Sequence, residues 1–197
     1  DIPVRDAFTI GISANYNNQT HGKNFYYNAG SKTDFLGFDR SKRPLSAAYS
    51  TVLNNSNIEQ VNAFSQHAFN NDWKISKINP MADYSLESSL SKSFKDKSSR
   101  QWGMLAAANY SHRYTAFTNM SNNSYSIYDH IRDQSVYVDK YTDNQYLLQD
   151  RLGGMLNLTL APNKNSEYSF KNIINQIGQN RYTTRDGYHY ESGFYIQ

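Results

Sequence analysis

The chain has 197 residues, a formal net charge of +3 and no cysteine. Near-balanced charge, with no stretch that concentrates Lys and Arg on one face, argues against a nucleic-acid-binding protein. The lack of cysteine excludes a disulfide framework, a thiol nucleophile and a cysteine-based metal site.

Seventeen Tyr and ten Phe are the unusual feature of the composition. Aromatic residues in this number favour β-structure, and they also fit the aromatic girdles of outer-membrane barrels. A mean hydropathy of −0.78 argues against a helical membrane protein. It does not argue against a barrel, whose strands give half of their side chains to a polar interior. Residues 1–5 lack the apolar core of a signal peptide, and we expect both ends to be cuts within a longer protein.

The first predicted strand covers residues 8–16, where apolar and polar side chains alternate. A long excursion follows, from Asn18 to about Met81. Within it, apolar residues recur at helical spacing after Asn57, a candidate N-cap, and predict a short helix at about 58–70. Loops of such length are usually functional or disordered, and this one is too rich in aromatic residues for disorder.

The second and third predicted strands cover residues 82–95 and 101–117, joined by a short charged turn. Trp102 and Tyr110 share one face of the third strand, about 26 Å apart along it. With a strand tilt of about 40°, this distance spans roughly the apolar band between the two aromatic girdles of an outer-membrane barrel. We therefore assign Trp102, Tyr110 and Tyr146 to a lipid-facing girdle; the alternative is that they are core aromatics of a soluble sandwich.

A second long loop is predicted at 118–144, followed by a hairpin over Tyr146–Gln176. Its first strand places a Leu ladder on one face and Asn, Arg and Gln on the other. Asp150 lies on the same face as the Leu residues and interrupts their series, and we expect it above the apolar band. The polar turn at 161–166 ends this strand. A third loop at 179–191 and a sixth strand from Ser192 complete the pattern.

The predicted connections therefore alternate between long and short. Long connections then all emerge at one end of the sheet and short turns at the other, as in outer-membrane barrels. The fold class predicted is all-β: an antiparallel up-and-down transmembrane β-barrel, represented by about six strands of a larger barrel. The whole chain, 1–197, forms this one partial domain, with the short helix in its first extracellular loop.

Three segments resemble Bacteroidetes TonB-dependent outer-membrane receptors. TDFLGFDRSKRPL (Thr33–Leu45) resembles the loop that follows their first barrel strand. FNNDW (Phe69–Trp73) is similar to the element before their second strand, and DIPVRDAF (Asp1–Phe8) to the exit from their plug domain. Phe35 stands where Trp is common in the family, and Ser41-Lys42 replace an acidic residue and Gly.

The resemblance implies a nutrient transporter in the outer membrane of a Gram-negative bacterium, with no enzymatic activity and no cofactor. Its implied partners are outer-membrane lipid, the protein's own plug domain, the TonB complex and a surface lipoprotein; nucleic acid is not among them. The plug and the remaining strands of the 22-stranded barrel are absent from this sequence. Two further functions stay open: a non-transporting barrel that serves as a structural or docking subunit of an envelope complex, and a soluble carbohydrate-binding β-sandwich.

Candidate site residues are few. The aromatic residues of the first loop could form a substrate platform or pack the loop on itself: Phe25, Tyr26, Tyr27, Phe35 and Phe38. No catalytic dyad is visible. The five histidines lack the spacing of metal ligands, and the acidic residues near 129–143 lack a calcium-loop pattern, so we predict neither a catalytic nor a metal site.

Overall fold

The computed structural model describes residues 2–38, 48–55, 57–68, 74–97 and 100–196. Most of these residues form antiparallel β-sheet, which confirms the all-β prediction. None of the helices within them has both the length and the apolar character needed to cross a membrane. The elements in chain order are β1 (Ala7–Asn15), β2 (Phe25–Asn28), a 3-10 turn (Asp34–Leu36), α1 (Tyr49–Asn55), α2 (Ile58–Ala68), β3 (Ile75–Ile78), β4 (Asp83–Lys95), β5 (Gln101–Asp129), β6 (Gln134–Asn163), β7 (Ser166–His189) and β8 (Phe194–Ile196).

Six strands form one meandering sheet in the order β1-β4-β5-β6-β7-β8, and every neighbouring pair is antiparallel. These are the six strands that the alternating pattern predicts. β1 and β8 occupy the two edges of this sheet in the described part of the chain. β2 and β3 pair with each other as a separate ribbon.

The two ends of the sheet differ. Short turns join β4 to β5 and β6 to β7 at the end that we call the lower end. The connection between β1 and β4 leaves the opposite, upper end, as do the turns at residues 130–133 and 190–193. The segregation of the connections and the length of the first one are therefore as expected, but the second and third upper connections are much shorter than predicted.

The predicted loops at 118–144 and 179–191 are wrong, because these residues mostly continue β5, β6 and β7. We call this upper part of the three strands, residues 118–145 and 183–189, the extension. Its two faces mix polar, aromatic and a few aliphatic side chains, so the alternation that marks an amphipathic strand is missing. Register shifts between Phe117 and Met120 and between Ser124 and Tyr128 break the period further, and Asn119 adopts a left-handed φ of 57°.

The predicted helix at 58–70 is observed as α2, Ile58–Ala68. Asn57 caps it as expected: its Oδ1 accepts a hydrogen bond from the Gln60 amide at 2.9 Å. The Gln60 side chain accepts from the Asn57 amide at 3.3 Å, which completes a reciprocal capping box. Two parts of the family resemblance, residues 39–45 and 69–73, lie outside the described residues.

Candidate functional site

The sheet has one apolar face, formed by even-numbered side chains of β1, β4, β6, β7 and the lower part of β5. The register aligns Phe8 with Leu90, and Trp102 with Leu160. Many large side chains of this face are exposed: Phe8, Ile10, Ile12, Leu86, Phe94, Leu156, Leu158, Tyr168, Phe170 and Ile174. Soluble monomers rarely expose so large a contiguous apolar surface. A surface of this kind is typical of a contact with a membrane or with another protein.

Two residues assigned to the girdle lie at opposite levels of the apolar face. Trp102 stacks on Phe94 at its lower edge, with ring centroids 6.1 Å apart. Tyr110 contacts Tyr84 at 6.0 Å near its upper edge. The third assignment needs correction, because Tyr146 is buried and belongs to a covered part of the face.

The covered part lies beneath the first long connection. We call β2, β3 and the turn segment 29–38 the cover. Phe25 is only 1% exposed, and its ring contacts Tyr114 and Tyr146 edge-on at 5.2 and 5.5 Å. Tyr26 contacts the Tyr146 ring at 5.3 Å. Of the five loop aromatics, these two therefore pack on the sheet.

The other three loop aromatics are placed differently. Tyr27 is half-buried and lines a cleft under the cover. Phe35 and Phe38 remain exposed, at 52% and 42%. The structure thus does not bring the five rings together into one platform.

The cover is fixed to β7 by a close approach of two glycines. A Cβ atom added to Gly178 would lie 2.6 Å from the Gly37 Cα, closer than such atoms approach in proteins. Gly37 also has a left-handed φ of 78°, which glycine adopts without strain. The Gln176 side chain donates to the Gly37 carbonyl at 2.6 Å, and the Asn180 side-chain Nδ2 donates to the carbonyl of Asn28.

A buried carboxylate lies at the boundary between the exposed and covered parts of the apolar face. Asp150 is 5% exposed and accepts hydrogen bonds from the Tyr110 hydroxyl at 2.9 Å and from His112 Nδ1 at 2.5 Å. The His112 ring lies between Tyr84 and Tyr114, at centroid distances of 5.0 and 4.7 Å. Asp150 also borders the cleft under the cover, whose volume is about 470 Å³.

The Asp150 cluster shows what sequence reasoning can find and what it misses. A carboxylate within a Leu ladder is visible in the sequence as an exception. Its partners are not visible, because His112 is 38 residues away along the chain and becomes a neighbour only through the β5–β6 register. Charged groups are rarely buried without such partners.

A second His–Asp pair holds the start of the first connection. His21 is 2% exposed, and its Nδ1 accepts a hydrogen bond from the Asn17 amide at 2.6 Å. Its Nε2 therefore carries the proton and donates to Asp83 at 3.1 Å. Asp83 also accepts from the Tyr114 amide at 2.8 Å, so this pair ties the connection to both β4 and β5.

The opposite face of the sheet is mostly polar, although Ile173 and Ile177 are exposed on it, and it carries a trough of about 430 Å³. The register aligns Gly11, Glu87, Asn109, Gly153 and Asn175 in one row across five strands. Glycine in this row leaves room above the backbone. The Asn109 and Asn175 side-chain oxygens occupy the space where a Gly153 side chain would lie.

The N-terminal residues cross this polar face at its lower end. A Cβ atom at Gly103 would lie 2.8 Å from Pro3 Cδ and 2.9 Å from the Ile2 Cα. The Ser93 amide donates to the Asp6 carboxylate at 2.8 Å. Residues 2–6 therefore lie on the polar side of the sheet.

The extension carries charged pairs that connect its three strands. Arg185 on β7 donates to both oxygens of Asp143 on β6, at 2.9 and 2.8 Å, and Asn122 on β5 donates to the same carboxylate at 2.9 Å. The Arg185 hydrogen bonds, with that from Asn122, lower the pKa of the Asp143 carboxyl to about 2.

Asp139 forms a similar bridge one level higher. It accepts hydrogen bonds from Ser124 and from His189 Nδ1, and these bonds, that of Ser124 first, lower the pKa of its carboxyl to about 2. Asp139 and Asp143 are thus parts of a β-ladder, not of a solvated loop. No group of three or more acidic or histidine side chains suited to a metal ion occurs among the described residues.

Comparisons with protein-family models, with curated proteins and with solved structures found no match to this chain. The two faces of the sheet, the cover and the extension are therefore the features that indicate a function.

Proposed function

We propose that the chain forms part of the wall and extracellular loops of a TonB-dependent receptor in the outer membrane of a Gram-negative bacterium. One observation carries the proposal: an exposed, continuous apolar face lies opposite a mostly polar, glycine-containing face on the same strands. A barrel in a membrane needs this division, because alternate side chains meet lipid and lumen.

Strand length supports a barrel over a soluble sandwich. β4, β5, β6 and β7 contain 13, 29, 30 and 24 residues, whereas strands of globular proteins average five or six. A tilted membrane crossing uses about 9–11 residues. Each of these strands can therefore cross a membrane, and β5, β6 and β7 continue well beyond it.

The two ends of the sheet set the orientation in this proposal. The lower end, with its short turns, lies on the periplasmic side, and the cover and extension lie outside the cell. Residues 2–6 cross the polar face, which supports a plug domain on the lumen side. The TonB complex would act on that plug, and the polar trough would line the path of the nutrient.

The test compares two lysine substitutions in neighbouring residues of β7. Ile174 is on the apolar face and 68% exposed, whereas Asn175 lines the trough on the polar face. In the full-length protein, we expect Ile174→Lys to cost about 2–4 kcal/mol of folded barrel stability, because it places a cation in lipid. Asn175→Lys should be tolerated.

The measurement is the heat-modifiable electrophoretic mobility of both variants after folding into lipid vesicles, over a urea series. A lower urea midpoint for Ile174→Lys alone supports the proposal. Equal midpoints, or a folded full-length protein that stays soluble without detergent or lipid, would show that the apolar face does not meet lipid.

A docking subunit without transport activity is the second candidate. The observation in its favour is the exposed apolar tip of the extension, where Ile127 is 77% and Ile131 96% exposed. Such a patch suits contact with another envelope protein, for example a surface lipoprotein. The full-length gene discriminates: a plug and a TonB-interacting segment favour transport, and their absence favours docking alone.

A further inference from the structure

The cover continues the apolar face upwards. It lies on the same side of the sheet as the exposed Leu and Ile side chains. Its Gly37 contacts Gln176 and Gly178 on β7, directly above exposed Ile174 on the same strand face. Phe35 and Phe38, on either side of this contact point in the chain, keep about half of their surface exposed. The exposed apolar surface therefore does not stop where the cover begins.

The level of the cover matches the edge of an apolar band. Ten residues of β6 separate Leu160, at the lower edge, from Asp150, beside the cover; this is roughly 34 Å along a strand. A tilt of about 40° reduces the distance to about 26 Å of depth, close to the apolar band of about 25 Å in outer-membrane barrels. Buried Asp150 also marks this level, since a carboxylate is poorly tolerated deeper in lipid.

The charge of the cover suits an anionic surface. The cover contains Lys32 and Lys77 against a single acidic residue, Asp34. Lys32 is exposed and lies three residues before Phe35 in the chain. Exposed Phe rings close in the chain to a lysine are typical of segments that lie at the boundary between hydrocarbon and lipid headgroups, where the lysine keeps its ammonium near the phosphates.

We propose that the cover is a membrane-interface element on the outside of the barrel wall. Phe35 and Phe38 lie among the headgroups of anionic, phosphate-bearing lipid in the outer leaflet, and Lys32 contacts the phosphates. This inference rests on the proposed function. Lipid then replaces a nutrient as the partner of the Phe35 and Phe38 rings. The first connection shields Asp150, Tyr110 and His112 from hydrocarbon.

The experiment measures the depth of single nitroxide labels in the full-length protein. Cysteines are introduced singly as Phe35→Cys, Phe38→Cys, Ile174→Cys and Ile131→Cys in a background without other cysteines. The labelled proteins are folded into vesicles that contain lipid A, and collisions with oxygen and with a water-soluble nickel chelate are compared. Heat-modifiable mobility confirms that each variant is folded.

We expect the label at 174 in hydrocarbon, the label at 131 in water, and the labels at 35 and 38 within about 5–10 Å of the phosphate level. Labels at 35 and 38 that behave like the label at 131, while 174 remains in hydrocarbon, overturn the inference and leave the proposed function intact. A label at 174 in water overturns the proposed function itself.

The lipid class is tested with Lys32→Gln. The matched control is Lys171→Gln, because Lys171 lies on the polar face of the sheet. In lipid A vesicles, Lys32→Gln should shift the labels at 35 and 38 towards water, and Lys171→Gln should not. In phosphatidylcholine vesicles, neither substitution should change the depth of these labels. An equal effect of Lys32→Gln in both lipids overturns the preference for anionic lipid, and no effect in either overturns the phosphate contact.

Discussion

At the scale of single residues, the contact between Gly37 and Gly178 decides where the first connection lies. Two backbones meet there without a side chain between them, and hydrogen bonds from Gln176 and Asn180 hold the approach. Phe25 then fills the space between Tyr114 and Tyr146. The residues that sequence reasoning assigned to a substrate platform thus divide into two packed rings, one half-buried ring and two exposed rings.

Gly178→Ala should detach the cover. The new methyl group would lie 2.6 Å from the Gly37 Cα, and overpacking of this kind costs about 1–3 kcal/mol. We expect amide hydrogen exchange across residues 25–38 to become roughly tenfold faster or more.

Gly154→Ala is the control, because a Cβ at this position, on the neighbouring strand, meets no atom within 4 Å. Equal exchange rates in the two variants would mean that the glycine contact does not hold the cover.

At the scale of elements, the extension is stabilised by polar contacts between strands and not by an apolar core. Tyr141 is buried in this ladder, with the Arg185 guanidinium 4.8 Å from its ring centroid. Above and below it, Asp139 and Asp143 each accept hydrogen bonds from both neighbouring strands. Sequence reasoning predicted a loop here because these contacts leave no apolar period.

The extension should loosen in acid. The pKa of the Asp143 carboxyl is about 2 in the folded protein, against about 3.9 in an unfolded chain. Because the folded state binds the proton more weakly, the stabilisation is complete well above pH 4 and is lost as the pH falls from about 4 to about 2.

Asp143→Asn should weaken the extension by about 1 kcal/mol at neutral pH, since Arg185 is partly exposed. Hydrogen exchange of residues 134–145, corrected for the intrinsic pH dependence, measures both effects. The pH dependence that remains in the variant belongs to Asp139, whose pKa is also about 2. A variant with unchanged protection at pH 6 and an unchanged acid transition would contradict the assignment.

At the scale of the whole molecule, the sheet has two chemically different faces. Its apolar face carries the exposed aliphatic side chains and the cover, and its polar face carries the trough and residues 2–6. The described strands are long enough to cross a membrane and to project beyond it. These properties together favour a membrane-barrel wall over a soluble sandwich.

The path of residues 2–6 across the polar face can be tested at Gly103. Gly103→Val would place side-chain atoms where Ile2 and Pro3 lie, so we expect residues 2–6 to be displaced and trypsin to cleave after Arg5 several-fold faster. Gly11→Ala, on the same face, adds only an ordinary contact at 3.7 Å to Glu87 and serves as the control. Equal cleavage rates would place the N-terminal segment elsewhere.

The sequence by itself determined the features that depend on neighbouring residues. Alternation along β1, β4 and the lower halves of β5 and β6 predicted the strands and their two faces. Asn57 predicted the start of α2, and the polar residues near 96–100 and 161–166 predicted the lower turns. These signals are local, because period, capping and turn chemistry act over a few residues.

Only the tertiary structure decided the position of the cover, the strand character of the extension and the partners of Asp150. Each depends on residues far apart in the chain: Gly37 with Gly178, Asn122 and Asp143 with Arg185, and His112 with Asp150. A one-residue change in the register of β6 would move Asp143 and Asp150 to the other face of the sheet. Local patterns fix the faces of a strand, but only pairing across the sheet fixes which side chains meet.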